Sequence, residues 1–261
     1  MVSPASPRDG CAWITGASSG IGRSLALRLA REGWHVVISA RRQGELETVA
    51  AETTHGRITP WALDVTDGAA VADAVRAIEA KHGPIALAVL NAGTHQPMTA
   101  QNFRAEVVDR LLRLNVTGGA TCLEALLPRM RERGKGQVAV VSSVAGYRGL
   151  PTAAAYSASK AAAIAMAESL RPELESEGVL LQVVNPGFVK TPLTDKNEFP
   201  MPMLMDVEDA AAAFAKGLQR TRFEIIFPRR FCYFVKLYRC LPYALALRIA
   251  RGMVSKASQS G

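Results

Sequence analysis

The chain has 261 residues, of which 49% are hydrophobic, 21% charged and 6% aromatic. This composition excludes global disorder and predicts a sizeable aliphatic core in one large domain or two small ones. Lysine and arginine number 31 against 23 aspartate and glutamate, so the formal net charge is +8. Residues 222–261 hold eight of the basic side chains and one acid, Glu224, so most of the excess charge lies in this last segment.

The four cysteines are scattered, with no CxxC pair among them. We therefore predict neither a metal site nor a disulfide framework. Residues 1–9 are mostly polar and do not resemble a signal peptide, so we expect a flexible N-terminus and a cytoplasmic protein. The sequence contains no run of about 18 apolar residues, so no membrane-spanning helix is expected.

Seven short apolar runs alternate with longer stretches of helical periodicity, such as 22–32 and 69–82. Short strands that are apolar throughout are typical of a sheet covered on both faces, and the alternation favours a parallel sheet. The pattern therefore predicts one α/β domain over residues 10–228, a doubly wound parallel sheet with helices on both faces. The predicted strands are 11–14, 35–39, 58–63, 85–90, 137–141, 180–184 and 223–227.

Residues 188–205 interrupt this alternation, with three prolines, three methionines and no clear period. Long irregular loops of compact domains are often active-site lids, so we predict a lid over the sheet. The alternative is a poorly ordered connection.

A glycine-rich turn, Thr-Gly-Ala-Ser-Ser-Gly-Ile-Gly over residues 15–22, joins the first strand to the first helix. Glycines permit the tight turn and a close backbone approach, and a helix N-terminus favours a phosphate group. This context predicts a dinucleotide-binding turn. Its predicted ligand-contacting residues are Gly16, Ser18, Ser19, Gly20, Ile21 and Gly22.

The second predicted strand ends in Ser39-Ala40-Arg41-Arg42, with no acid before Glu45. An acid at this point would bind the ribose 2′-hydroxyl, whereas an arginine accommodates a 2′-phosphate. The sequence therefore predicts NADP(H) as the cofactor, with Arg41 as the phosphate partner, assisted by Ser39, Arg42 or Arg23. The alternative is that both arginines are solvated loop charges.

Tyr156 and Lys160 are four residues apart in an alanine-rich helical stretch and so share one face. A phenol has an ordinary pKa of about 10, and a neighbouring ammonium favours its ionised form. Ser143 follows the fifth predicted strand, where its hydroxyl could hold a carbonyl oxygen. The alternatives are a surface pair and a turn cap.

Together these motifs resemble the short-chain dehydrogenase/reductase family, with a Rossmann-type fold, over about residues 10–195. The resemblance rests on the glycine turn, on Ser143, Tyr156 and Lys160, and on further matching positions. Of these, Asn115 matches a fourth catalytic residue. The others match cofactor contacts: Asp64, Val65, Asn91, Ala92, Gly93, Pro186, Gly187, Val189 and Thr191.

The resemblance implies that Tyr156 is the general acid or base and that Lys160 lowers its pKa and binds the nicotinamide ribose. It implies that Ser143 orients the carbonyl and that Asn115 holds a relay water. Hydride would pass from the cofactor to the carbonyl carbon. The resemblance also implies a homo-dimer or homo-tetramer.

Candidate substrate-binding residues are His95, Tyr147 and Phe188, with the methionines of 201–205. Because these side chains are nearly all apolar, we expect a hydrophobic carbonyl or alcohol as substrate. A non-catalytic NADP-binding sensor is an alternative function.

Residues 229–261 form a basic amphipathic C-terminal extension in which Phe231, Phe234, Val235 and Tyr238 fit one helical face and Pro242 breaks the helix. Such helices bind anionic membranes, so we predict possible peripheral contact through residues 229–256. Membrane interaction could then itself be the function. The extension could instead pack against a second subunit or over the chain's own pocket. No nucleic-acid partner is expected, because no binding motif accompanies the charge.

Overall fold

The computed structural model describes residues 2–54, 56–196 and 201–257. Within these ranges seven strands form one sheet in which all neighbours are parallel. The strands are β1 (Cys11–Thr15), β2 (His35–Ala40), β3 (Arg57–Ala62), β4 (Ile85–Leu90), β5 (Gly136–Val141), β6 (Val179–Pro186) and β7 (Glu224–Phe227). Their spatial order is β3-β2-β1-β4-β5-β6-β7, which confirms the predicted doubly wound sheet of Rossmann type.

Helices connect the strands and cover both faces of the sheet. Over the described residues they are α1 (Gly20–Arg31), α2 (Gln43–Ala51), α3 (Gly68–His82), α4 (Ala105–Leu112), α5 (Gly118–Glu132), α6 (Ala154–Ser176), α7 (Val207–Leu218), α8 (Arg229–Cys240) and α9 (Tyr243–Ala257). A π-helical turn, Arg113–Thr117, joins α4 to α5, and a 3₁₀ turn, Val144–Gly146, follows β5.

The core lies in two layers, one on each face of the sheet. Every residue of β1, β4, β5 and β6 is buried, as expected for strands covered on both sides. One layer is closed by apolar side chains of α3, α5, α6 and α8, and the other by those of α1, α2 and α7.

The strand order reverses between β1 and β4. The chain builds outward from β1 to β3 and then crosses back to place β4 on the other side of β1, where Thr15 pairs with both Ser39 and Leu90. The crevice at such a reversal, at the carboxyl ends of the strands, is where this sheet type binds ligands. The topology therefore brings the glycine turn after β1 beside the segment that follows β4.

The N-terminal segment, expected to be flexible, is packed on the fold in this structure. Val2 is buried, the Ala5 amide donates a 2.8 Å hydrogen bond to Gln137 Oε1, and Asp9 pairs with Lys135. These contacts join residues 2–9 to the start of β5.

The C-terminal extension differs from the expectation in two ways. Its first helix, α8, contributes Phe231, Cys232 and Val235 to the main core, so the boundary at residue 228 does not separate it from the domain. Phe234, predicted to share one helical face with Phe231, Val235 and Tyr238, is 67% exposed, whereas those three side chains and Cys232 are buried. None of the helices in the described ranges combines the length and apolar character needed to cross a membrane.

Candidate active site

The glycine turn is shaped by close backbone contacts. Gly16 has φ +65° and Gly20 has φ +56°, conformations that favour glycine. A Cβ on Gly16 would also lie 2.7 Å from Ala92 Cα, and one on Gly22 would lie 2.6 Å from Gly16 O. Side chains at these positions would therefore separate the turn from the β4 loop and from the start of α1.

Asn91, directly after β4, holds the turn in place. Its Nδ2 donates to Thr15 O at 3.1 Å and to Gly16 O at 2.9 Å. In return Thr15 Oγ1 accepts hydrogen bonds from the amides of Asn91 and Ala92, at 3.1 and 3.2 Å. The two loops at the strand reversal are thus cross-linked by four hydrogen bonds, which leaves the turn preorganised.

Two adjoining cavities open at the carboxyl ends of the strands and share Gly93. The first lies over the glycine turn and the ends of β2 and β3. Most of its lining was predicted, namely Gly16, Ser18, Ser19, Arg41, Asp64, Val65, Ala92 and Gly93, with Ser39 and Arg42 as assisting residues, while Ala40, Leu63 and Leu114 were missed. The second cavity lies over the ends of β5 and β6.

The structure separates the four side chains considered for the 2′-phosphate. Arg42 pairs with Glu45, Arg23 pairs with Glu52, and Ser39 Oγ accepts a 2.9 Å hydrogen bond from the Trp13 indole. Of these four, Ser39, Arg41 and Arg42 line the first cavity. A cationic side chain thus stands where β2 ends.

Asp64, across that cavity, forms a local turn in which its Oδ1 accepts a 2.9 Å hydrogen bond from the Thr66 amide. This bond lowers the pKa of Asp64, and the charge of Arg41 lowers it further. The cap of α3 is Asp67, which accepts from the Ala70 amide at 3.0 Å. Asp64 is therefore free of the capping role and keeps its place in the cavity wall.

In the second cavity three of the four predicted catalytic side chains, Ser143, Tyr156 and Lys160, come together. Ser143 Oγ caps the 3₁₀ turn by accepting from the Ala145 amide at 3.1 Å, and it is also hydrogen bonded to the Tyr156 phenol. Lys160 Nζ donates a 2.9 Å hydrogen bond to Val141 O, and Ser142 Oγ donates a 2.7 Å bond to Lys160 O. These bonds join the end of β5 to the first turns of α6.

Burial dominates the electrostatics of the pair. It raises the pKa of Tyr156, with the Ser143 hydrogen bond acting in the opposite direction. It lowers the pKa of Lys160 to about 8. The ammonium lies 5.7 Å from the centre of the Tyr156 ring, but the predicted lowering of the phenol pKa by Lys160 was wrong, because burial raises this pKa. The phenol therefore stays protonated at neutral pH.

Asn115 lies in the π-helical turn and is buried. Its Oδ1 accepts from the Thr94 amide at 2.8 Å, and its Nδ2 donates to Thr94 O and Ser159 Oγ, both at 2.9 Å. A Cβ on Gly93 would lie 3.2 Å from Asn115 Oδ1 and 3.5 Å from Lys160 Nζ. Asn115 and Lys160 thus converge beneath Gly93, and π-helical turns of this kind are frequent at functional sites.

The rest of the second cavity is formed by the segment after β6 and by α1. Ile21, Asn91, Pro186, Gly187, Val189 and Thr191 were predicted here. Thr94, Val141, Ser142, Leu193 and Thr194 were missed, although the position of Thr94, next to Gly93, was a usable signal. Within the predicted lid, Val189 pairs with Met205 in an isolated bridge. Residues 197–200 of that prediction lie outside the described residues.

The predicted substrate residues His95, Tyr147 and Phe188 lie in two different places. His95 is buried, with its ring centre 4.6 Å from that of Tyr156. The Tyr147 hydroxyl instead donates to Glu224, and Phe188 packs on Phe231 with ring centres 5.3 Å apart. The structure therefore places His95 beside Tyr156, while Tyr147 and Phe188 contact residues of the C-terminal part.

Comparisons with known proteins agree with this geometry. The profile of a family described as "short chain dehydrogenase" matches residues 10–200. An uncharacterized oxidoreductase of Myxococcus xanthus is 43% identical over 242 residues, which cover 92% of this chain and 96% of the relative. A 2-dehydro-3-deoxy-L-rhamnonate dehydrogenase (NAD(+)) of Sphingomonas sp. is 33% identical over 213 residues, covering 77% of this chain and 85% of the relative.

Solved structures show the same likeness. A short-chain dehydrogenase from Sphingobium yanoikuyae in complex with NADPH superposes with a TM-score of 0.75 at 27% identity. The match covers 90% of this chain and 97% of that one.

Proposed function

Because the chain belongs to the short-chain dehydrogenase/reductase family, we propose that this oxidoreductase is NADP(H)-dependent and interconverts a hydrophobic ketone or aldehyde and its alcohol. One observation carries the proposal. The Tyr156 phenol is hydrogen bonded to Ser143 beside the buried ammonium of Lys160, in a cavity that adjoins the glycine turn.

The residues present fit a dinucleotide. Gly16 and Gly93 leave room where a Cβ would meet Ala92 or Asn115, and the two cavities join at Gly93. The glycine turn and the start of α1 would hold the pyrophosphate, and Pro186, Gly187, Val189 and Thr191 would border the nicotinamide. When bound, the cofactor supplies or accepts the hydride.

The side chains of the site supply the proton and the orientation. Tyr156 is protonated at neutral pH, since the ordinary pKa of a phenol is about 10 and burial raises it further, and this is the form that a general acid in carbonyl reduction requires. Ser143 would donate a hydrogen bond to the carbonyl oxygen, where negative charge develops. As Tyr156 gives up its proton, Lys160 would stabilise the phenolate and Asn115 would hold the relay water.

The preference for NADP(H) rests on Arg41. Arg41 and Arg42 both line the cavity at the end of β2, but Arg42 pairs with Glu45, and Arg23 pairs with Glu52. The NADPH complex of the Sphingobium protein supports this choice, although the Sphingomonas relative is named for NAD(+). A cationic side chain at this position complements a 2′-phosphate.

The substrate class is inferred from the second cavity. Apart from the residues assigned to the cofactor, its described lining includes the apolar Val141 and Leu193, and Lys160 is the one side chain among the described lining residues with a formal charge, so the cavity offers no second charge to pair with a charged substrate. A cavity of this kind suits an apolar carbonyl compound. His95, packed on Tyr156, would lie near the substrate.

The test is turnover of NADPH with a panel of hydrophobic ketones and aldehydes. We expect Tyr156→Phe to lose about 10²–10⁴-fold in kcat, the usual contribution of general acid catalysis, while NADPH binding measured by nucleotide fluorescence is retained. Tyr233→Phe, which changes an exposed tyrosine, is the matched control. If the wild-type protein binds NADPH but turns over none of the panel, the non-catalytic sensor becomes the better proposal.

Assembly and location remain predictions. A homo-dimer or homo-tetramer and a cytoplasmic location are expected, and sedimentation velocity checks the first. The predicted membrane contact involves residues 229–256 of the C-terminal extension and not this site.

A further inference from the structure

The last two helices carry an unusual amount of exposed apolar surface. Of the eleven large hydrophobic side chains that are exposed in the described residues, eight belong to α8 and α9. We call this region the C-terminal surface. Its apolar members are Tyr233, Phe234, Leu237, Tyr243, Leu245, Leu247, Ile249 and Met253.

Most of these side chains share helix faces. On α8, Tyr233, Phe234 and Leu237 lie within one turn and are 52%, 67% and 66% exposed. On α9, Leu245 and Ile249 are one turn apart, and Met253 continues the same row one turn later. Each helix thus presents an apolar strip to solvent.

The exposed charged side chains on these two helices are all cationic. The chain has no aspartate or glutamate after Glu224, and Glu224 is paired with Lys236. Arg230 and Arg239 of α8 and Arg248 and Arg251 of α9 are exposed. Outward charge on this surface is therefore positive throughout.

The positive charge of the C-terminal surface favours one class of binding partner over the others. A second copy of the same surface would bring two cationic segments together, which costs free energy. A nucleic acid would satisfy the arginines but leave the aliphatic strips in water. An anionic bilayer satisfies both, since arginines pair with lipid phosphates while apolar side chains enter the boundary between headgroups and acyl chains.

We propose that the C-terminal surface binds the surface of anionic membranes. The contact is peripheral.

Core packing and hydrogen bonds attach the C-terminal surface to the rest of the domain. The inner side of α8 packs into the core through Phe231, Cys232 and Val235. Arg148 donates hydrogen bonds to three carbonyls at the end of α8, including that of Arg239 at 2.8 Å, and its guanidinium lies 4.8 Å from the centre of the Tyr243 ring. Deleting the extension would open the core, so point substitutions on the outer side are the cleaner test.

The experiment is flotation of the full chain with phosphatidylcholine vesicles, with and without phosphatidylglycerol, at low and high salt. We expect binding to the anionic vesicles that weakens with salt. Neutralising two cations with Arg248→Gln/Arg251→Gln should weaken binding by about 20-fold, since each cation near an anionic surface contributes about fivefold. Phe234→Ser/Leu237→Ser should weaken it about tenfold or more.

Matched controls are Phe103→Ser, which removes an exposed aromatic from another part of the surface, and Arg31→Gln, which removes an exposed cation of α1. Both should bind vesicles like the wild type. The proposal is overturned if the wild type does not float with anionic vesicles, or if surface and control variants bind equally. It is also overturned if Phe234→Ser/Leu237→Ser converts an oligomer into monomers while no variant binds vesicles, because the surface is then a subunit interface. None of these readouts depends on turnover.

Discussion

Glu224, the first residue of β7, forms an ion pair with Lys236 of α8. The same carboxylate accepts a hydrogen bond from the Tyr147 hydroxyl and a 2.7 Å bond from Asn185 Nδ2. Tyr147 follows the turn capped by Ser143, and Asn185 precedes Pro186 in the cavity wall. One carboxylate therefore connects the C-terminal extension to two segments of the active site.

Removing this charge should loosen that connection. We expect Glu224→Gln to lower the free energy of unfolding by about 1–3 kcal/mol, because three donors lose a charged acceptor. Urea denaturation measures the change. Glu177→Gln, which breaks an exposed ion pair with Arg131, is the matched control and should cost much less stability, because solvent screens exposed pairs. Equal losses in the two variants would contradict the connecting role of Glu224.

The same group predicts a pH dependence. Burial alone would raise the pKa of Glu224, but hydrogen bonds from Lys236, Tyr147 and Asn185 together hold it below its usual value. A carboxyl with a lowered folded pKa stabilises the fold above its unfolded pKa of about 4.3 and loses this effect as pH falls further. The stability difference between wild type and Glu224→Gln should therefore shrink below about pH 4.

Lys160 should destabilise the fold at neutral pH. Burial lowers its pKa to about 8, so between pH 8 and the ordinary lysine value of about 10.4 the unfolded chain binds more protons than the folded one. Stability then rises with pH across this window. Relative to Lys160→Met, the wild type should gain about 2–3 kcal/mol between pH 7 and pH 10. If the difference in urea midpoint between the wild type and Lys160→Met does not change with pH, Lys160 is not a buried amine with a lowered pKa.

Arg41 should determine cofactor choice. Arg41→Asp removes the cation facing a 2′-phosphate and adds a repelling charge, so the KM for NADPH should rise by about tenfold or more with little change for NADH. Arg42→Asp is the matched control, because Arg42 already pairs with Glu45. Equal effects on both cofactors in the Arg41 variant would refute the 2′-phosphate assignment.

Asn91 should act on the cofactor through the glycine turn. Asn91→Ala removes hydrogen bonds to Thr15 O and Gly16 O and should cost about 1–3 kcal/mol of stability. NADPH affinity should fall with it, because the turn is no longer held against the β4 loop. Asn102→Ala, which removes a hydrogen-bond acceptor from the exposed Thr99 turn, should leave affinity unchanged. An Asn91 variant with normal affinity would show that the turn holds its shape unaided.

Local patterns predicted much of this molecule. The seven apolar runs became seven parallel strands, since a short run that is apolar on both sides has to be covered on both faces. The motif residues Gly16, Asn91, Ser143 and Tyr156 converge because the carboxyl ends of parallel strands meet along one edge. The sequence already indicated this convergence, because it placed each motif after a predicted strand or soon after one.

Contacts between distant segments were not predictable in the same way. The sequence grouped Phe234 with Phe231, Val235 and Tyr238 on one helical face, but in the folded chain Cys232 joins these three in the interior and Phe234 is exposed. Tyr147 was expected at the substrate, but a carboxylate 77 residues further along the chain holds its hydroxyl. The direction of the Tyr156 pKa shift likewise depended on how deeply the folded chain buries the phenol.

By itself, then, the amino-acid sequence determined the fold class and the family, and it predicted the cofactor turn and the candidate catalytic side chains, because these depend on periodicity and short spacings. The tertiary structure decided which side chains face the core, which polar groups pair across the sheet and which apolar helix faces stay exposed on α8 and α9. Those outcomes depend on the balance of packing and desolvation among residues that are far apart in the chain.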